Sequence, residues 1–229
     1  MSTLTLNKGG SIIGSVGSNQ ATARDVTTAT SIIQDASSTN AVQYFKSSGR
    51  GGGTFRYTRS FLQFDASSIT GTVTAATLNV ESHGSSNSGD LIVIASDAFG
   101  GASSDLVNSD FNNVDFNTTY SSEITSWNTN GANNAITLNA AARSAISSNN
   151  SFICAIINHD SDFQDTDSLS GDGNESNGID FAGTITLVVT VAAAAGPANL
   201  TSLNTIAKTS ITSFNTITLA NIDEINTIS

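Results

Sequence analysis

Arg59-Ser-Phe-Leu-Gln-Phe-Asp-Ala-Ser-Ser-Ile-Thr-Gly-Thr-Val-Thr-Ala-Ala-Thr-Leu-Asn-Val80 is the stretch whose reading decides the fold. In its last part, Ala76, Leu78 and Val80 alternate with Thr77 and Asn79, so an extended chain turns the first three toward a core and the other two toward water. Ile69-Thr-Gly71 supplies a turn before that strand, and Ser60–Phe64 reads as the strand that precedes the turn. Two short strands joined by a polar turn predict an antiparallel, sandwich-type arrangement.

The same pattern extends outward. Leu91–Ala95, Phe152–Ile157 and Thr184–Val191 read as strands, the last with Ile185, Leu187, Val189 and Val191 on one face. Between them, the Gly- and Ser-rich stretches 47–53, 84–89 and 171–178 supply surface loops. One helix is predicted, Asn139-Ala-Ala-Ala-Arg-Ser-Ala-Ile146, capped by Asn139 and ended by Asn149 or Asn150. Charged residues are only 12% of the chain. Ser, Thr, Asn and Gly fill the missing share, and they favour turns and strand surfaces over helix interiors. The expected fold is therefore all-β, with one short helix.

Nineteen acidic against eight basic side chains give a formal charge of −11, which repels a polyanion, so no nucleic-acid partner is expected. Cys154, the single cysteine, lies in the apolar run Ser151–Ile157 and reads as a small buried hydrophobe. The start Met1-Ser-Thr-Leu-Thr lacks the basic and apolar regions of a secretory signal, so synthesis in a cytoplasm is expected. The apolar stretch Ile185–Ala195 is shorter than the roughly 20 residues that a bilayer-crossing helix needs, and no membrane span is expected.

After Val191 the chain changes character. Ala192-Ala-Ala-Ala-Gly-Pro-Ala198 contains Pro197, the only proline, which marks a boundary. The predicted organisation is a domain over 1–191, a linker over 192–199 and a tail over 200–229. In the tail, Leu200-Thr-Ser-Leu-Asn-Thr-Ile206, Ile211-Thr-Ser-Phe-Asn-Thr-Ile217 and Ile222-Asp-Glu-Ile-Asn-Thr-Ile228 begin 11 residues apart. Such a period, about 3.67 residues per turn, fits a right-handed helical bundle, while Asn204, Asn215 and Asn226 fit the ends of short helical turns. Under either reading the apolar ridges cannot bury themselves within so short a tail. Leu203, Ile206, Phe214, Ile217, Ile225 and Ile228 are the expected assembly residues, packing on sister subunits or another protein.

Candidates for chemistry are sparse. His83 reads as a solvated loop residue, and His159 ends a buried strand. No Gly-x-Ser-x-Gly elbow and no phosphate-binding Gly-Lys-Ser/Thr loop occurs, so no enzyme is expected. The run Asp160-Ser-Asp-Phe-Gln-Asp-Thr-Asp167 places Asp160, Asp162, Asp165 and Asp167 close enough to chelate calcium, although the spacing is not that of an EF-hand. A solvated acidic loop is the alternative. Otherwise no cofactor is expected. Arg50, Arg56 and Arg59, interleaved with Phe55 and Tyr57, read as the edge of an aromatic core whose arginines cover it or pair with carboxylates. Trp127, the sole tryptophan, and Tyr57 are candidate stacking platforms for a sugar ring, Trp127 serving equally as a core anchor.

The segment Arg59–Val80, with its arginine, its Phe-Asp-x-Ser-Ser-Ile turn and its Ala-Thr-Leu strand, resembles the hallmark of DNRLRE-type jelly-roll domains. Ile136-Thr-Leu-Asn139, the helix after it, the acidic loop and the closing strand Thr184–Val191 follow the same order, so the resemblance covers roughly 10–191. It implies a jelly-roll β-sandwich used for display and binding, either as a carbohydrate-binding module or in virion proteins of tailed phages. The Asn-Thr-Ile repeats resemble the short C-terminal repeats of marine-phage structural proteins. Together these imply a homo-oligomeric virion structural protein, a capsid decoration or fibre component contacting other virion proteins. The alternative is an adhesin for a host-surface glycan.

Overall fold

The computed structural model describes residues 1–14, 19–27, 29–34, 40–47, 53–86, 90–128, 131–167, 169 and 175–192, and in the tail 202–203, 206–207, 213–214 and 217–218. The chain divides into two compact units, Met1–Val191 and Ala192–Ser229.

Among the described residues of the first unit, ten strands form one antiparallel sheet. They are β1 (Ser2–Ile13), β2 (Ser31–Ile33), β3 (Asn40–Ser47), β4 (Thr54–Asp65), β5 (Val73–Ser86), β6 (Leu91–Ser96), β7 (Val114–Thr119), β8 (Asn133–Thr137), β9 (Ser151–Asn158) and β10 (Glu175–Val191). The order is β2-β1-β10-β3-β4-β9-β6-β7, with β5 joined to β10 and β8, and β1 also to β4. The molecule is mostly β with few helices, as composition and alternation predict.

The five segments expected as strands lie in β4, β5, β6, β9 and β10. In β5, Ala76, Leu78 and Val80 are buried while Thr77 and Asn79 are partly exposed. The central strands differ from that pattern because both of their faces are covered. Leu62 and Phe64 of β4, Cys154 and Ile156 of β9, and Leu91 and Val93 of β6 enter a core with Leu78, Ile136, Ile185 and Leu187. On the opposite face, Tyr57 and Phe61, Ala155 and Ile157, and Ile92 and Ile94 enter a second core with Ile12, Phe99, Leu106 and Phe111. A strand buried on both sides reads as a continuous apolar run, which is why Phe152–Ile157 lacks clean alternation.

The helix Ala140–Ser148 forms where Asn139 caps it, the Asn139 side chain accepting from the Ala142 N–H at 3.1 Å. Ala142 and Ile146 are its buried residues. Short helical segments also occur at Gln20–Arg24, Ala98–Ala102, Asn108–Asn112 and His159–Phe163, beyond the single helix expected. Phe99 (φ 60°), Gly100 (φ 57°), Gly101 (φ 65°) and Ala102 (φ 83°) run consecutively through the left-handed region. The two glycines tolerate it at little cost, and the buried Phe99 ring offsets the strain at its own position. Strand β1 was hidden from sequence reading by Gly9-Gly10, since glycine is depleted in strands. Gly10 is needed there because a Cβ would lie 2.4 Å from the Ile33 carbonyl oxygen and 2.7 Å from Leu106 Cδ1.

In the tail, Ser202–Leu203 pairs antiparallel with Ile206–Ala207, and Ser213–Phe214 with Ile217–Thr218. The helical readings of the repeat are corrected for these residues. Leu203 lies opposite Ile206, and Phe214 opposite Ile217. An apolar spacing of three matches a helix face, but it also matches a cross-strand pair flanking two residues, and β-branched Thr and Ile favour the strand. Ile225 and Ile228, expected to act alike, lie outside the described residues.

Candidate functional site

The middle of β4 carries a charge where no charge is tolerated alone. Arg59 is fully buried, on the face shared with Tyr57 and Phe61. A lone guanidinium there would be prohibitively costly, so it needs a carboxylate and further acceptors. Asp162, itself 1% exposed, answers it in a two-pronged pair. Arg59 Nε donates to Asp162 Oδ2 at 2.7 Å and Nη2 to Oδ1 at 2.6 Å. Nη1 donates to the Phe111 carbonyl at 2.7 Å, and Nη2 also to the Arg24 carbonyl at 3.0 Å. The guanidinium carbon lies 4.1 Å from the centre of the Phe111 ring and 5.3 Å from that of Phe116. Arg24 Nε donates to the Asp162 carbonyl at 2.6 Å, with its own guanidinium 4.4 Å from the Phe116 ring centre. One ion pair thus ties β4 to three segments outside the sheet. This is the carboxylate pairing expected for the arginine cluster. Arg56 instead donates to Gln43 and lies 5.0 Å from the Phe45 ring centre, and Arg50 lies outside the described residues.

The four aspartates considered for calcium are engaged by cations and hydroxyls of the protein rather than by one another, Arg24 lying near both Asp162 and Asp165. Asp162 belongs to Arg59, and Asp165 lies 3.8 Å from Arg24. Asp167 accepts from Lys46 Nζ and from the Tyr44 hydroxyl, each at 2.9 Å. Burial would raise the Asp167 carboxyl, but hydrogen bonds from Lys46, Tyr44 and the Leu169 N–H outweigh it and hold the group below the usual carboxylate range. Asp160 turns instead toward His159 and Glu123. The structure does not bring the four together around one point.

The aromatic candidates for a sugar platform are also placed. Tyr57 is corrected in that role: its ring is fully buried, stacked on Tyr44 at 4.9 Å, and its hydroxyl donates to the Ser161 carbonyl at 3.0 Å. Burial and the negative charge of Asp162 push the Tyr57 phenol far above its ordinary range, so it remains a neutral donor. Trp127 packs against the first core, 6.2 Å from the Phe181 ring, which suits the anchor reading. The side chain of His83 lies outside what the structure describes.

Cys154 is fully buried between β4 and β6, and burial pushes its thiol up to about 12. The thiolate is the reactive form, so Cys154 is expected to stay unlabelled by a disulfide-exchange reagent at pH 8 and to react fully in denaturant. Labelling of the native protein within minutes would contradict its place in the core.

A tighter grouping was not visible in the sequence, because its members stand on three separate segments. His159 and Asp160 open a single π-helical turn, His159–Phe163, after β9, a local geometry often found at functional sites. The Asn158 side chain caps that turn, accepting from the Ser161 N–H at 2.7 Å. Glu123 precedes Ile124, whose backbone bridges to Leu91 at the start of β6. Asp90, just before β6, accepts the His159 N–H through its carbonyl at 2.8 Å. His159 Nδ1 then lies 3.0 Å from Asp160 Oδ1 and 3.2 Å from Glu123 Oε1. Sequence reading found His159 and Asp160 but had no signal for Glu123 or Asp90, which a strand pairing brings to them.

Compared with models of known protein families and with curated proteins, the chain has no match.

Proposed function

We propose that the chain is a non-enzymatic virion structural protein of tailed-phage type, a capsid decoration or fibre component. In this reading a jelly-roll β-sandwich is displayed outward, and the C-terminal repeats join copies of the chain to one another and to other virion proteins. The observation that carries it is the tail. Its first two repeats form strand pairs only two residues long, 11 residues apart. An isolated two-stranded ribbon is at best marginally stable in water, and one that repeats its apolar positions gains stability by stacking on like units. The jelly-roll assignment is supported by the resemblance of Arg59–Val80 and by the single core that residues of β4, β9 and β6 share with residues of β5, β8 and β10. Among the described residues no helix is long and apolar enough to cross a membrane.

A glycan-binding adhesin is the second reading. It is favoured by an open cleft of about 520 Å³ whose lining combines the polar Ser96, Asp97, Asn149 and Asn150 with the apolar Ala102 and Ile153.

Light scattering of the full chain and of residues 1–196 separates the two. The full chain is expected to be an oligomer and the truncated one a folded monomer, both unchanged by a calcium chelator. A full-length monomer would overturn tail-driven assembly, and binding on a glycan array would then favour the adhesin.

A further inference from the structure

The grouping at the end of β9 has more negative charge than its surroundings answer. Glu123, His159 and Asp160 place their ligand atoms all within 4.8 Å of one another. Asp90 stands beside them, its backbone carbonyl accepting the His159 N–H at 2.8 Å. Among the described residues, no lysine or arginine forms an ion pair with any of these three carboxylates. Even a protonated imidazole leaves two negative charges unanswered.

We propose that Glu123, His159 and Asp160, with Asp90 as their neighbour, bind a divalent transition-metal cation of the zinc type. His159 Nδ1 lies 3.0 and 3.2 Å from the two carboxylate oxygens and all three donor atoms lie within 4.8 Å of one another, a span that an ion with bonds of about 2.0–2.2 Å to nitrogen and oxygen bridges. One imidazole with two carboxylates suits such an ion, whereas calcium takes six to eight oxygens and magnesium few protein ligands. The imidazole is held before any ion arrives: its backbone N–H is bonded to Asp90, its ring stacks on Phe163 at 5.8 Å, and it is only 15% exposed. The Gln164 side-chain amide nitrogen lies 3.4 Å from Nε2, while Nδ1 faces the Asp160 and Glu123 carboxylates, so an ion bound there would take the place of the proton between Nδ1 and those oxygens. Glu123 and Asp160, each 38% exposed, leave the site open to an ion from solution.

The test uses the full chain stripped by a chelator and titrated with zinc chloride by calorimetry, with calcium and magnesium chlorides in parallel. Zinc is expected to bind at one equivalent per chain, to raise the melting temperature, and to be replaceable by cobalt(II) with the visible bands of a nitrogen- and oxygen-ligated ion. Glu123→Gln and His159→Ala should each weaken binding about tenfold or more. Because Glu123 is exposed, its variant carries the test if His159→Ala fails to fold. Absence of zinc binding, equal affinity for calcium, or zinc binding unchanged in Glu123→Gln would each overturn the site.

Discussion

Asp162→Ala is expected to lower the unfolding free energy by about 3–5 kcal/mol, as the removal of one partner from a buried pair does. The substitution leaves the Arg59 guanidinium in place, still bonded to the carbonyls of Phe111 and Arg24 and still against two aromatic rings, but with no anion. Those dipoles cannot replace the hydration lost by a fully buried cation. Urea unfolding, followed by the fluorescence of the single tryptophan, measures the loss. A decrease below about 1 kcal/mol would mean that the guanidinium escapes to water and that the pair is not what holds the turn His159–Phe163 against β4. The double variant Arg59→Met with Asp162→Leu separates charge from packing. With no charge left to desolvate, it should be more stable than Asp162→Ala, because the cost of a buried ion pair lies in leaving one member alone.

That pair also shows how far residue patterns reach. Alternation located β5 and β10 because one face of each meets a core and the other is more open, so the period of two survives in the letters. The cap at Asn139 was legible because a capping side chain acts within three residues of itself. Arg59 was legible as an arginine needing a partner, but the partner was not, since Asp162 is one of several aspartates in its run and only packing selects it. The second core was hidden for a related reason. Its lids are helical segments too short to show a 3.6-residue period, and β4 carries Arg59, Ser60 and Gln63 among its buried residues, which masks a two-sided strand. In the tail, the spacing of three was visible but left the conformation open, because helix faces and two-residue ribbons share it. Glu123 and Asp90 had no local signal at all, as their meeting with His159 depends on the pairing of β6 with β9 and on the Leu91–Ile124 bridge.

Phe64→Ala tests the central strand from its other face and is expected to cost about 3–5 kcal/mol. Phe64 is fully buried, stands opposite Phe152 in the register of β4 with β9, and opposite Leu6 in that of β4 with β1. The Phe64 and Phe152 rings lie 6.4 Å apart, and Tyr120 lies 5.2 Å from Phe152, so the lost ring opens a hole beside Phe152, which is held on a hydrogen-bonded strand and backed by Tyr120. Such surroundings relax little, which places the loss in the upper part of the range, because the residual cavity adds to the lost transfer energy. Since β4, like β9 and β6, contributes to both cores, the loss should appear as a shift of one cooperative transition with its urea dependence unchanged. Phe61→Ala, which empties the opposite face of the same strand, should shift that same transition. A wild-type melting temperature for Phe64→Ala would remove Phe64 from the core. Two separated transitions in either variant would show that the cores unfold independently, and β4 would then not be the element that couples them.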